Sequence, residues 1–283
     1  MLVEIKGMEK HYKNFDLNCS LEVNEGCVTG LIGQNGAGKT TIFKGILNLI
    51  TMDGGDVKVM GKEPQHFTPM ERKKIGVVTS GSGFSEYLNI KEIANIMTRF
   101  YEKFNKQDFL NQCERFRLPM DQDLKSFSSG MKAKLKVLIA MSYEAGLLIL
   151  DEPTAGLDVV ARDTLLNMLR EYMEEDGRAI LVSSHISSDL EGLCDDLYMI
   201  DEGMIVMHEE TDTLLDQYGV LKMDEDQYNK LDHKHLLKYK RENFGYSCLT
   251  KEKQFYMENY PEIVIEKGTI DEVMLMMIKG ESL

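Results

Sequence analysis

Gly33, Gly36, Gly38, Lys39 and Thr40 stand in the spacing G-x-x-x-x-G-K-T, inside the stretch Thr29 to Thr41. That spacing reads as a phosphate-binding loop. Polyphosphate has to be wrapped by backbone N–H groups, so the chain must turn tightly and come close. Glycine allows this because it has no Cβ. A helix opening behind the loop adds unpaired N–H groups and a favourable dipole for an anion. Lys39 is placed to bridge the β- and γ-phosphates as a point charge, and the Thr40 hydroxyl to ligate Mg²⁺. Asn35, Ala37 and Thr41 complete the cradle.

A second chemical cluster lies at Gly146–Glu152, an apolar run that ends in Asp151 and Glu152. Acids at the carboxyl end of a buried parallel strand lie where ligands bind in open α/β sheets. Asp151 suits Mg²⁺ coordination through water, and Glu152 suits orienting or deprotonating an attacking water. Capping of the next element is the plainer alternative. His185 follows another apolar run, Ala179–Ser183, and so falls at the same sheet edge. Ser128, Ser129 and Gly130 precede a helical segment; a simple N-cap and a second anion site both remain open there. Tyr12 lies in the polar connection Lys10–Asn14. An incidental loop aromatic and a platform for a nucleotide base are equally open readings.

The elements that would carry these groups alternate strand and helix. Leu2–Ile5, Phe15–Val23 and Cys27–Ile32 are apolar bursts, with Asn24-Glu25-Gly26 as a turn between the last two. They predict an antiparallel flap that leads into the first central strand. A helix is expected over Thr40–Leu49, strands at Val57–Met60 and Ile75–Thr79, and a single helical stretch from Tyr87 to about Phe116. In that stretch Asn89 is the expected N-cap, with Glu92 three residues later. Helices at Met131 to about Ala145 and Val159 to Glu175, then a hairpin of Leu197–Ile200 and Met204–Met207, close the core. The fold class is α/β: a P-loop NTPase core with an N-terminal antiparallel β flap and an inserted helical subdomain at about 85–145. The domain division is 1–208 and 209–283. The second part reads β-α-β-β-α-β, the ferredoxin-like order, followed by a helix at Ile270–Lys279.

Composition narrows the function. The chain has 283 residues, 43% of them apolar, with a net charge of -14. Nucleic acid is a poor partner for such a chain, since phosphate contacts need clustered Lys and Arg. The cysteine count of 5 is odd, and no C-x-x-C occurs. Reduced thiols are therefore expected, and no signal peptide is read before Leu2. No apolar run approaches the roughly 20 residues that span a bilayer. A role at a membrane would need another chain to cross it.

In their order, these pieces resemble the ATP-binding subunit of ABC transporters, over Leu2 to about Met207. Gly33–Thr40 matches Walker A, and Phe127–Met131 matches the signature. Leu147–Glu152 matches Walker B with its catalytic acid, and Ala155–Asp158 matches the D-loop. His185 matches the switch histidine, and Tyr12 stands at the adenine-stacking place. The resemblance implies ATP and Mg²⁺ as ligands. It implies a homodimer or heterodimer, with each ATP held between one chain's Walker A and the other chain's signature, and Asp158 as a further nucleotide-binding residue. It also implies an integral-membrane transporter subunit as partner and a peripheral place on the cytoplasmic face of the membrane. Ser80 departs from the family pattern, which has Gln there; serine is shorter, but its place makes it a metal-facing candidate. Ser129 replaces the signature's first glycine. The tail is similar to that of bacterial exporters of peptides, antibiotics and other amphipathic compounds, phenol-soluble modulin exporters among them. Two further readings stay open: a slow nucleotide-gated dimerisation switch, and a soluble ABC-type ATPase with no part in transport.

Overall fold

A computed structural model describes residues 1–79 and 83–282; the Ser80 candidate lies outside the described residues. The chain opens with β1 (Val3–Tyr12) and β2 (Phe15–Val23), an antiparallel hairpin in which Tyr12 pairs with Phe15. Then come β3 (Val28–Ile32), α1 (Lys39–Ile46) and β4 (Gly54–Val59), which pairs antiparallel with β1. A single-turn helix α2 (Pro69–Arg72) leads into β5 (Ile75–Val78). Three helices follow: α3 (Ile90–Phe100), α4 (Lys106–Arg115) and α5 (Ser129–Met141). The core is completed by β6 (Leu147–Asp151), α6 (Val159–Met173), β7 (Ala179–Ser184), α7 (Ser187–Glu191), β8 (Asp196–Asp201) and β9 (Met204–Glu210).

These strands form one sheet of order β4-β1-β2-β9-β8-β3-β7-β6-β5. β8, β3, β7, β6 and β5 run parallel, which brings their carboxyl ends to one edge. Every residue of β3, β6 and β7 is buried, as expected of parallel strands covered on both faces. The pleat divides their side chains between two layers. In β6, Leu148 and Leu150 pack with the inserted helices, while Leu147 and Ile149 pack with the flap.

Two sequence expectations are corrected here. The helical stretch from Tyr87 to Phe116 is two helices, α3 and α4. Asn105 starts the second as its N-cap, accepting from the Asp108 N–H at 3.1 Å. Phe104 turns inward to 7% exposure, and Tyr101 stacks on Tyr143. The buried contacts of this joint outweigh the continuous helical pattern. Tyr12 belongs to the end of β1 rather than to a loop, because β1 continues past an irregularity between Ile5 and Met8. The Asn89–Glu92 capping box is present as expected.

The tail runs α8 (Thr211–Gln217), β10 (Gly219–Met223), α9 (Glu225–Lys230), β11 (Leu236–Glu242), β12 (Gly245–Thr250), α10 (Lys253–Asn259), β13 (Val264–Lys267) and α11 (Ile270–Lys279). Its strands make a second, fully antiparallel sheet of order β11-β12-β10-β13. A small core of its own includes Leu221, Met223, Cys248 and Tyr256. Val220, Leu249, Ile270, Val273 and Met276 instead join the large core, beside Leu190 of α7. The cysteines are all free; burial pushes the thiols of Cys19, Cys113 and Cys248 up to about 12. No helix among the described residues is long and apolar enough to cross a membrane.

Candidate nucleotide site

The loop from β3 to α1 packs its glycines where a side chain has no room or no permitted backbone. A Cβ on Gly33 would lie 2.3 Å from the Ile200 carbonyl oxygen. Gly38 is the N-cap of α1 at φ +116, a left-handed conformation that glycine adopts without strain. It offers no side-chain cap, and the first turn of α1 holds no acid. The N-terminal N–H groups of α1 are thus left to an external anion. That is a structural fit to a phosphate group.

Lys39 is 6% exposed. Its ammonium donates to the Gly33 carbonyl at 2.6 Å and the Gln34 carbonyl at 3.2 Å. It also lies 3.1 Å from Glu152 Oε1, an ion pair without hydrogen-bond alignment. Thr40 Oγ1 donates to Asp151 Oδ2 at 2.8 Å. Ser183 Oγ donates to the other oxygen of Asp151, also at 2.8 Å, and accepts from the Glu152 N–H at 3.0 Å. Both oxygens of Asp151 are therefore oriented by side chains on neighbouring elements. The Thr40 and Asp151 donors are hard oxygens and few, which suits Mg²⁺ shared with a bound polyphosphate.

Glu152 sits just past β6 at φ +51, in a region that non-glycine residues seldom enter. Backbone strain of this kind persists where the surroundings over-determine it, commonly at functional sites. Here the surroundings are Ser183, Lys39 and His185. Glu152 Oε2 lies 2.6 Å from His185 Nδ1 and accepts from the His185 N–H at 3.3 Å. The acid and the histidine predicted at one sheet edge therefore touch each other directly.

Above this cluster a cleft of about 320 Å³ is lined by Lys39, Thr40, Thr41, Glu152, Asn35, Gly36 and the rings of Tyr12 and Phe15. Those rings are 6.2 Å apart, and Tyr12 is 46% exposed. A flat π-face beside a polyphosphate cradle can stack a nucleobase. Ala37 is buried beneath the loop, with its carbonyl accepting from the Gly203 N–H at 3.0 Å.

The remaining predicted residues lie apart from this cleft. Ser128 and Ser129 are exposed at the start of α5. Ser128 is the N-cap there, accepting from the Met131 N–H at 3.2 Å. Asp158 caps α6, accepting from the Ala161 N–H at 2.8 Å. Gly130 joins the two caps: a Cβ on it would lie 2.9 Å from that of Ala161. The sequence reading missed Ser183, which is 0% exposed. The sequence carries one weak signal, a hydroxyl at the end of an otherwise apolar strand; its register with Asp151 comes from the fold.

The parallel sheet, the loop after its first central strand and the acids at its edge define a P-loop nucleotide-hydrolysing domain. The family model described as ABC transporter matches residues 17–155. The chain is 31% identical over 221 residues to "Lantibiotic transport ATP-binding protein SrtF" of Streptococcus pyogenes, covering 75% of this chain and 92% of that one. It is 30% identical over 222 residues to "Nod factor export ATP-binding protein I" of Cupriavidus metallidurans, covering 76% and 73%. A solved structure titled "Structure of ATP binding subunit of ABC transporter" superposes with a TM-score of 0.67 at 26% identity, over 76% of this chain and 92% of that one. The chain belongs to the ATP-binding proteins of ABC transporters, and its activity is that of an ATPase.

Proposed function

We propose that this ATPase drives export of a peptide-like, antibiotic or otherwise amphipathic substrate through a separate integral-membrane subunit. It would work peripherally at the cytoplasmic face of the membrane, as a homodimer or heterodimer of ATP-binding subunits. The observation that carries the ATPase half is the bonded set Lys39–Glu152–His185 at the mouth of the cleft. Lys39 turns from Glu152 to the β- and γ-phosphates. Glu152 then orients the attacking water, and His185 supports the γ-phosphate. Thr40 and Asp151 would hold Mg²⁺, which supplies neutralisation of the phosphate charge. Ser128, Ser129, Gly130 and Asp158 face the γ-phosphate of the other subunit.

The export half is supported by the two relatives above, whose names specify lantibiotic transport and Nod factor export. The division at about residue 208 leaves residues 209–283 as an accessory module joined to the ATPase core. Affinity purification of the tagged chain from detergent-solubilised membranes is the test. Recovery of an integral-membrane protein in fixed ratio is expected. Recovery of ribosomes in its place would overturn the transport reading.

A further inference from the structure

His185 stands two residues before the start of α7, and α7 bonds both the core and the tail. On the core side, Asp189 is 2% exposed and accepts from Thr154 Oγ1 at 2.6 Å. Its other oxygen lies 3.4 Å from Arg162 Nε of α6. Thr154 belongs to the segment between Glu152 and Asp158, so α7 is tied to the hydrolytic acid by its own neighbours. On the tail side, Ser187 Oγ donates to Asp271 Oδ2 of α11 at 2.8 Å. Ser187 is 8% exposed. That bond joins residues 84 positions apart in the chain.

The start of α11 is itself well fixed. Thr269 and Glu272 form a reciprocal capping box, and Ile270 and Val273 are fully buried in the large core beside Leu190 of α7. Asp271 therefore presents its carboxylate from a rigid base. Among the described residues, the ring and the N–H of His185 both bond Glu152, the group whose geometry it must share. The backbone on either side of it is fixed by Ser184 Oγ, which accepts from the Ile186 N–H at 2.9 Å, and then by Ser187.

We propose that Asp271 is a positioning residue for ATP hydrolysis, holding His185 in register with Glu152 through its hydrogen bond to Ser187. The C-terminal module is thereby coupled to the catalytic edge of the sheet. The inference rests on the reading of His185 as a support for the γ-phosphate. It concerns the hydrolytic step and not nucleotide binding, because Asp271 and Ser187 line no part of the cleft around Lys39.

Single-turnover hydrolysis by the full-length chain, beside ATP affinity by calorimetry and Tm, separates the outcomes. Asp271→Ala and Ser187→Ala should each slow the hydrolytic step about threefold to tenfold, the scale of one net hydrogen bond expressed as a rate. ATP affinity should stay within about twofold. Asp271→Asn keeps an acceptor oxygen at the same place and should restore most of the rate. The double variant should be no slower than either single, since both remove the same bond. A merely structural contact would lower Tm while leaving the hydrolytic rate unchanged, and that result overturns the proposal. So do multiplicative losses in the double variant, or an Asp271→Asn protein as slow as Asp271→Ala. A His185→Ala protein with a normal rate overturns both this inference and the reading beneath it. A crippled His185→Ala protein beside a normal Asp271→Ala protein overturns this inference alone.

Discussion

The edge around Lys39 and the pair of caps at Ser128 and Asp158 differ in what their side chains bond. Around Lys39 the functional groups bond one another: Thr40 to Asp151, Ser183 to Asp151, Lys39 to Glu152, and Glu152 to His185. These partners come from α1, β6, β7 and the segments after them, so the parallel sheet assembles them by its topology alone. Among the described residues, the side chains of Ser128 and Asp158 bond N–H groups of their own helices. They are exposed, and the Gly130–Ala161 contact brackets them on one surface. One region is a nearly complete site. The other is a pair of helix caps that a single chain leaves open to solvent. In the proposed dimer, residues that cap their own helices would also meet the partner's nucleotide.

The largest expected effect falls on the complete region. Glu152→Gln keeps size and polarity but removes the charge and the base. Hydrolysis should drop by about 10²- to 10⁴-fold, the usual worth of a proton-transfer group. Stopped-flow phosphate release measures it, and normal turnover would remove Glu152 from the mechanism. Lys39→Ala comes next. It deletes the only cation among the described residues lining the cleft with Tyr12 and Phe15. Calorimetry with ATP–Mg²⁺ should show affinity falling roughly 10- to 100-fold, since hydrogen bonds to charged groups are worth about 1.5–3 kcal/mol. Unchanged affinity would refute the phosphate-loop assignment.

A smaller effect is expected at the aromatic pair. Tyr12→Ala should weaken nucleotide binding by about 1–3 kcal/mol if its ring stacks the base. Phe15→Ala is the counter-test: weakening there alone would move the platform to Phe15. The smallest effect falls on the cap region. Ser128→Ala should cost about 1 kcal/mol of stability through the lost N-cap. In the isolated chain it should leave ATP affinity unaltered, as thermal melts and calorimetry would show. A large loss of affinity in the monomer would place Ser128 at the chain's own cleft and dissolve the contrast between the two regions.

Much of the complete region was legible in the sequence because its parts are local. The glycine spacing, the lysine, and the acids at the end of an apolar strand each carry their own signal. Ser183 was not legible in the same way, since its role comes from strand pairing between β6 and β7, distant in sequence. The joint at Tyr101–Asn105 was missed for a related reason: the helical periodicity runs through it, and only the burial of Phe104 and the Tyr101–Tyr143 stack break it. The tail's strands and helices were readable from their alternation. The bond from Asp271 to Ser187 was not, because nothing in either neighbourhood announces the other. In the cap region the sequence left an N-cap and an anion site open, and the single chain makes the N-cap without excluding the other use.

In the proposed dimer, the cap face of one chain completes the nucleotide cleft of another. Sedimentation velocity of Glu152→Gln with saturating ATP–Mg²⁺ tests it most directly. Binding should survive, because Lys39, Thr40 and Asp151 remain, so ATP should persist between the two faces and hold a dimer. Ser128→Arg in the same chain should abolish that dimer by placing bulk and charge at the shared phosphate. A Glu152→Gln chain that stays monomeric in saturating ATP, or a dimer that survives Ser128→Arg, would contradict the account.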